Sequence, residues 1–170
     1  MDMAYRKFND EVFYPADKFV TIDGTDLAFL KAEAMKNLRR RMRLCAHQTV
    51  DDRIHEMFIV HTRDAYVRPH KHLNKTESFF LLEGEVEVVF FDDDGGIIRK
   101  VTLGTMDSGK LFYYRLNEPL YHTLNIKSDM VCFFEVTAGP FDRRDTVFPS
   151  WAPDGNNQEQ VIQFMRRIRI

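Results

Sequence analysis

The chain is 170 residues long with 24 basic and 26 acidic side chains, a net charge of -2, and 44% hydrophobic residues that include 15 phenylalanines. That composition supplies a packed core and excludes a disordered chain, while the balanced charge offers no polyanion-binding field, so no nucleic-acid partner is expected. Cys45 and Cys132 stand far apart without a CxxC pair, which excludes a zinc ribbon or redox dithiol. No stretch is long and apolar enough to cross a bilayer and residues 1–7 lack the apolar run of a signal peptide, so a cytoplasmic protein with no membrane partner is expected.

Residues 1–19 show no sustained period and read as an arm, loose or laid on the body, whose Phe8, Phe13, Tyr14 and Phe19 argue for docking against something. Asp23 or Thr25 can cap a helix over 25–38, in which Leu27, Leu30, Ala34 and Leu38 share one face. The basic run Arg39-Arg40-Arg41 suits that helix's negative end. Short β-branched and aromatic stretches follow at 42–49, 54–61, 66–72, 77–82, 85–91, 97–103, 111–116, 121–126 and 130–137. The acidic segment 92–96 lacks the alternating ligand spacing of a calcium loop and reads as a solvated hairpin turn. A final amphipathic helix is expected over 157–168, with Val161, Phe164, Met165 and Ile168 on one face. Eight or nine strands without an intervening helix predict an all-β fold, a double-sheet jelly-roll barrel with an N-terminal helix and a short C-terminal helix. The expected organisation is one domain over 1–170: arm and helix in 1–40, barrel in 41–138, loop and helix in 139–170.

The strongest chemical signal is His70-Lys71-His72 followed by Glu77. In an extended strand alternate side chains share a face, so Arg68, His70 and His72 point one way and Pro69 and Lys71 the other. A turn through 73–76 brings Glu77 back beside the two imidazoles. His122, which opens a short strand after Pro119, is the candidate fourth ligand. Three histidines and one carboxylate suit a single divalent transition metal, Fe, Mn, Ni, Co or Zn, with one or two coordination positions open.

His70, His72, Glu77 and Gly84 stand at the spacings of the first cupin motif, with Asp64 in place of its leading glycine. Pro119 and His122 keep part of the second motif. Arg41-Met42-Arg43 with His47, Tyr121-His122-Thr123-Leu124, Glu135 ahead of Gly139-Pro140-Phe141, and Trp151-Ala152-Pro153 sharpen the likeness: over about residues 21–154 the chain resembles the WbuC-type cupin-fold metalloproteins. Asp154 stands where that family has glutamate, and no lysine lies between Phe141 and Trp151. Members of that family are found with bacterial surface-polysaccharide genes, so the resemblance implies a sugar-related role. It also singles out Arg41, Arg43 and His47 as ligand-binding residues.

Around the metal, Arg68 is expected to hold a carboxylate, phosphate or sugar oxygen, because it shares strand parity with the ligands. Tyr113 is a candidate for orienting that ligand and Tyr121, beside His122, for moving a proton. Glu135 stands in an apolar strand, where a carboxylate is costly unless paired; Phe133 and Phe134 leave the strand's parity open, so Glu135 is a candidate acid–base group or partner of a ligand imidazole if it faces inward, and a surface carboxylate if it faces outward. The expected function is metal-dependent isomerisation or epimerisation of a small sugar-like or acidic metabolite. The alternatives are an Fe(II) oxygenase and a module that binds a sugar or acid without turning it over. A homodimer is expected, with the aromatic arm as a natural exchange element.

Overall fold

The computed structural model describes residues 5–169. Its strands are β1 (Tyr5–Lys7), β2 (Val12–Pro15), β3 (Arg41–Cys45), β4 (Ile54–Thr62), β5 (Lys71–His72), β6 (Glu77–Glu83), β7 (Val86–Phe91), β8 (Ile97–Leu103), β9 (Tyr113–Leu116), β10 (Tyr121–Ile126), β11 (Met130–Ala138) and β12 (Thr146–Val147). Helix α1 (Gly24–Lys36) lies between β2 and β3, and α2 (Gln158–Ile168) follows β12. Residues 1–4, where the start of a docking arm and the absence of a signal peptide were expected, lie outside the described residues.

Alternation along the strands sets the architecture. In β4, His55, Met57, Ile59 and His61 share one parity, while Phe58 and Val60 turn to the other face. The large sheet runs β1-β2-β3-β4-β11-β6-β9 and the smaller one β10-β7-β8. Met57, Ile59, Phe79, Leu81 and Phe133 from the first meet Val86, Val88, Phe90, Leu124 and Ile126 from the second in one buried cluster. Phe79 and Phe133 stack at 4.3 Å within it. Each such aromatic contributes about 1.5–3 kcal/mol by burial. The core thus lies between two faced sheets, as the jelly-roll expectation requires.

The outer faces are covered by the helices. Asp23 accepts from the backbone N–H groups of Thr25 and Asp26, and the Asp26 carboxylate accepts from the Asp23 N–H, a closed capping box that starts α1. Leu30 and Ala34 of α1 are fully buried against Met42, Leu44 and Val60. At the other end Phe164, Met165 and Ile168 of α2 cover Val89, Phe91 and Tyr121.

Three elements depart from expectation. The arm is built into the large sheet, because Phe13 and Tyr14 are buried and β2 pairs in parallel with β3. The strand expected over 66–72 shrinks to β5 plus a single bridge at His70: Pro69 has no N–H for a ladder, and the Val67 carbonyl is taken by the Thr123 hydroxyl. Helix α1 stops at Lys36, leaving Leu38 fully exposed instead of on its buried face. The acidic turn is a hairpin in which Asp92 Oδ1 accepts from the N–H groups of Asp94 and Gly96.

Candidate metal centre

His70 and His122 exchange two backbone hydrogen bonds, His70 N–H to His122 O at 3.1 Å and His122 N–H to His70 O at 2.9 Å. Directly opposed residues of an antiparallel pair project to the same face, so this bridge brings two imidazoles from distant parts of the chain to a ring separation of 4.5 Å. His72, two residues on, shares the face, 5.0 Å from His70 and 5.8 Å from His122. One ring nitrogen from each of the three lies within 4.8 Å of the others.

The opposite ring edges fix the tautomers. His70 Nδ1 lies 2.9 Å from the Arg68 carbonyl and His122 Nδ1 3.0 Å from the Leu120 carbonyl. A carbonyl only accepts, so Nδ1 carries the proton in both rings and Nε2 is left as a lone pair aimed at the common centre. His72 Nδ1 stands 3.4 Å from the Thr146 hydroxyl.

Glu77 opens β6 beside these rings and is 3% exposed. Its Oε2 lies 3.3 Å from His72 Nε2 and 3.5 Å from His122 Nε2. Two donors about 2.1 Å from one ion, at tetrahedral or octahedral angles, stand about 3.0–3.4 Å apart. The carboxylate therefore sits at ligand spacing from His72, at 3.3 Å, and just beyond it from His122, at 3.5 Å. Burial acts to raise the Glu77 pKa, but the neighbouring His122, then His72 and the Tyr114 hydroxyl, outweigh it and hold the carboxyl well below its usual range. Burial, then the neighbouring His122 and His72, pushes His70 down to about 3. In His122 burial acts downward too, and the Glu77 charge overcomes it and raises the pKa. A buried carboxylate facing imidazole lone pairs whose far edges are already committed is the donor set of a divalent transition ion, and these residues fit one.

The centre opens into a cavity of about 380 Å³ between the two sheets. Arg41, Arg43, Arg68 and Glu135 line it. Arg68 stacks 4.9 Å over Phe148, and its Nε is buried without a partner. Glu135 pairs with Met57 and Phe79, whose side chains are core, and Phe134 takes the outer face, which settles the parity of β11. Burial, then the Glu77 charge, raises Glu135 to about 7. Among the described residues it makes no hydrogen bond to a ligand imidazole.

Three expected residues lie elsewhere. Tyr121 is adjacent to His122 in an extended strand and so must face the other way: it is buried under Trp151 and α2, with Lys71 4.4 Å over its ring. Tyr113 is 46% exposed on the outer face. His47 stands behind the wall, stacked 4.2 Å from His55. Sequence reasoning missed Tyr114, which turns inward in place of Tyr113 and donates to Glu77 Oε1 at 2.6 Å. It also missed His61 and Lys75, both in the cavity wall. The parity of His61 with Met57 and Ile59 was the available signal.

Residues 22–103 match a family described as a domain of unknown function, DUF6016. No curated protein matches the sequence. Among solved structures, the chain is similar to the capsular polysaccharide assembling protein CapF from Staphylococcus aureus, with a TM-score of 0.53 and 18% identity over 63% of this chain and 29% of CapF. A second CapF structure from that organism gives 0.51 and 17% over 64% of this chain and 31% of CapF. Oxalate decarboxylase OxdC from Bacillus subtilis gives 0.49 and 14% over 64% of this chain and 27% of its own. The chain spans less than a third of the CapF length it matches. The fold is the all-β jelly roll of the cupins. Among the described residues no helix is long and apolar enough to cross a membrane.

Proposed function

We propose that the chain is a metal-dependent cupin enzyme that binds a small acidic, sugar-like metabolite and moves a proton on it, as an isomerase or epimerase does. The observation that carries this reading is a single cavity in which the histidine group, basic side chains and a carboxyl group titrating near neutrality face one another. His70, His72, His122 and Glu77 would hold the ion. When bound, the ion supplies Lewis acidity toward a carbonyl or hydroxyl oxygen of the ligand.

The protein's own groups do the rest. Arg68 and Lys75 hold the ligand's acidic oxygens, Arg68 with its plane fixed by Phe148. Glu135, with its pKa raised to about 7, takes and returns a proton at neutral pH, which is the range where a general acid–base group is most effective. Tyr114 orients Glu77 through its hydroxyl. The WbuC-type resemblance supports a place in polysaccharide or carbohydrate metabolism. A single cytoplasmic domain that pairs as a homodimer belongs to the same reading.

The test is anaerobic incubation of metal-loaded protein with a panel of sugar acids and sugar phosphates in deuterated water. Deuterium entering a carbon-bound position, and lost in Glu135→Gln, supports the reading. Oxygen consumption with Fe(II) and no deuterium uptake across the panel overturns it.

A further inference from the structure

The cavity has a second basic end, remote from the histidines. In β3, Arg41 and Arg43 alternate with Met42 and Leu44, which are buried under α1, so both arginines share the parity of the cavity face. Both line the cavity, as does His61, which lies opposite Arg41 on β4. Glu11 reaches the same place from the β1–β2 turn, and its carboxylate accepts from Arg41 Nε at 2.7 Å and Arg39 Nη1 at 3.1 Å. That one carboxylate is shared by two guanidinium groups. Arg43 makes no side-chain hydrogen bond or ion pair among the described residues.

His61 is the second, independent observation. It is 7% exposed, and its Nδ1 is sealed without a hydrogen-bond partner. Leaving a buried acceptor unpaired costs less than leaving a buried N–H unpaired, so the favoured tautomer carries its proton on Nε2. Nε2 is not sealed in this way and also has no partner among the described residues. A neutral imidazole donor, a free guanidinium and a half-engaged one thus face a cavity whose lining holds Arg39, Arg41, Arg43, Arg68 and Lys75 against Glu11, Glu77 and Glu135.

From this geometry we infer that Arg43, Arg41 and His61 form an anion subsite, and that the ligand is a two-headed acid whose second phosphate or carboxylate group docks there while its first end reaches the histidine centre. The inference rests on the proposed function for the first end only. Strands β3, β4, β11 and β6 are consecutive neighbours, so Arg41 and Arg43 on β3 and Glu77 on β6, beside the histidines, are separated by three strand spacings, about 14 Å of backbone. Side chains leaning in from both ends shorten that gap to the length of a small metabolite. A guanidinium gives the planar double donor that phosphate and carboxylate oxygens match, and an imidazole N–H adds a third bond.

The test is calorimetric titration of the full-length protein, as purified and after chelation, with inorganic phosphate and with acetate. The expected result is saturable binding that survives chelation, weakens at least about fivefold in Arg43→Met, and is partly restored in Arg43→Lys. Tighter binding of phosphate than of acetate identifies a phosphoryl head group, and the reverse a carboxylate. Unchanged affinity in Arg43→Met, or no saturation by either anion below about 10 mM, overturns the subsite. Loss of metal binding in His70→Ala with phosphate binding intact would separate the two ends, so failure of the metal centre cannot pass for failure of the subsite.

Discussion

The Tyr114 hydroxyl donates a 2.6 Å hydrogen bond to Glu77 Oε1, while Glu77 Oε2 faces His72 and His122. One carboxylate oxygen is thereby anchored to the large sheet and the other is presented to the histidines of the opposite side.

Removing that anchor should loosen the centre without unfolding it. Tyr114→Phe keeps the ring stacked on Phe79 at 5.2 Å and deletes only the donor. Metal affinity should fall by about tenfold to a hundredfold, the range for losing a bond that orients a ligand. Competition against a coloured chelator reads this, and unchanged affinity would reduce Tyr114 to core filling.

Glu135 predicts a pH dependence of stability. Its folded-state pKa of about 7 lies above the ordinary carboxylate value of 4.5, so the folded protein holds the proton more tightly than the unfolded chain. The stability tied to this proton is fully present below about pH 4.5 and is lost as pH rises through about 7. Glu135→Gln removes the loss. In metal-free protein it should raise stability at pH 8 by on the order of 3 kcal/mol and change little at pH 4.5. Denaturant melts at the two pH values decide, and equal effects at both would contradict the buried, proton-holding site.

Gly84 joins β6 to β7 with φ of 86°, and a Cβ there would strike the Met130 carbonyl and the Ser128 hydroxyl. Both the backbone conformation and the space require glycine at this turn. Gly84→Ala should cost at least about 2 kcal/mol, seen as a drop of several degrees in Tm. A Tm within a degree of the parent would show that the turn rearranges freely.

Tyr121 offers a control. Because its ring lies under Trp151 and α2, Tyr121→Phe should leave metal and phosphate binding unchanged, while Tyr121→Ala should destabilise by about 3–5 kcal/mol. Loss of metal in Tyr121→Phe would return this residue to the site.

These contrasts show what can be read from a chain. The convergence of His70 and His72, with Glu77 close by, was legible because the two histidines are spaced for one strand face and Glu77 follows within one turn, a local relation that any extended segment imposes. Adjacent tyrosines at 113 and 114 were not, since which of two neighbours turns inward depends on the partner strand, here β6 through Phe79↔Tyr114. The same held for Glu135, whose parity is set by β4 and β11 pairing across the large sheet. Strand β2 escaped detection because its partner β3 is remote and parallel, so no short-range period marks it. Strand 66–72 was overread because Pro69 interrupts the ladder that an apolar stretch otherwise suggests. The start of helix α1 and the whole of strand β10 lie where expected, each being marked by its own capping or flanking residues, whereas no residue marked the helix's stop at Lys36.

The central claim is that three imidazoles and one carboxylate surround a common ion. Elemental analysis of the purified protein beside His70→Ala/His122→Ala, with circular dichroism to confirm the fold of both, tests it most directly. The account predicts about one equivalent of a divalent transition metal in the parent, retained through gel filtration, and a loss of at least about tenfold in the folded double variant. A folded double variant that holds as much metal as the parent, or a parent that takes up none when offered Mn(II), Fe(II), Co(II), Ni(II) or Zn(II), would contradict it.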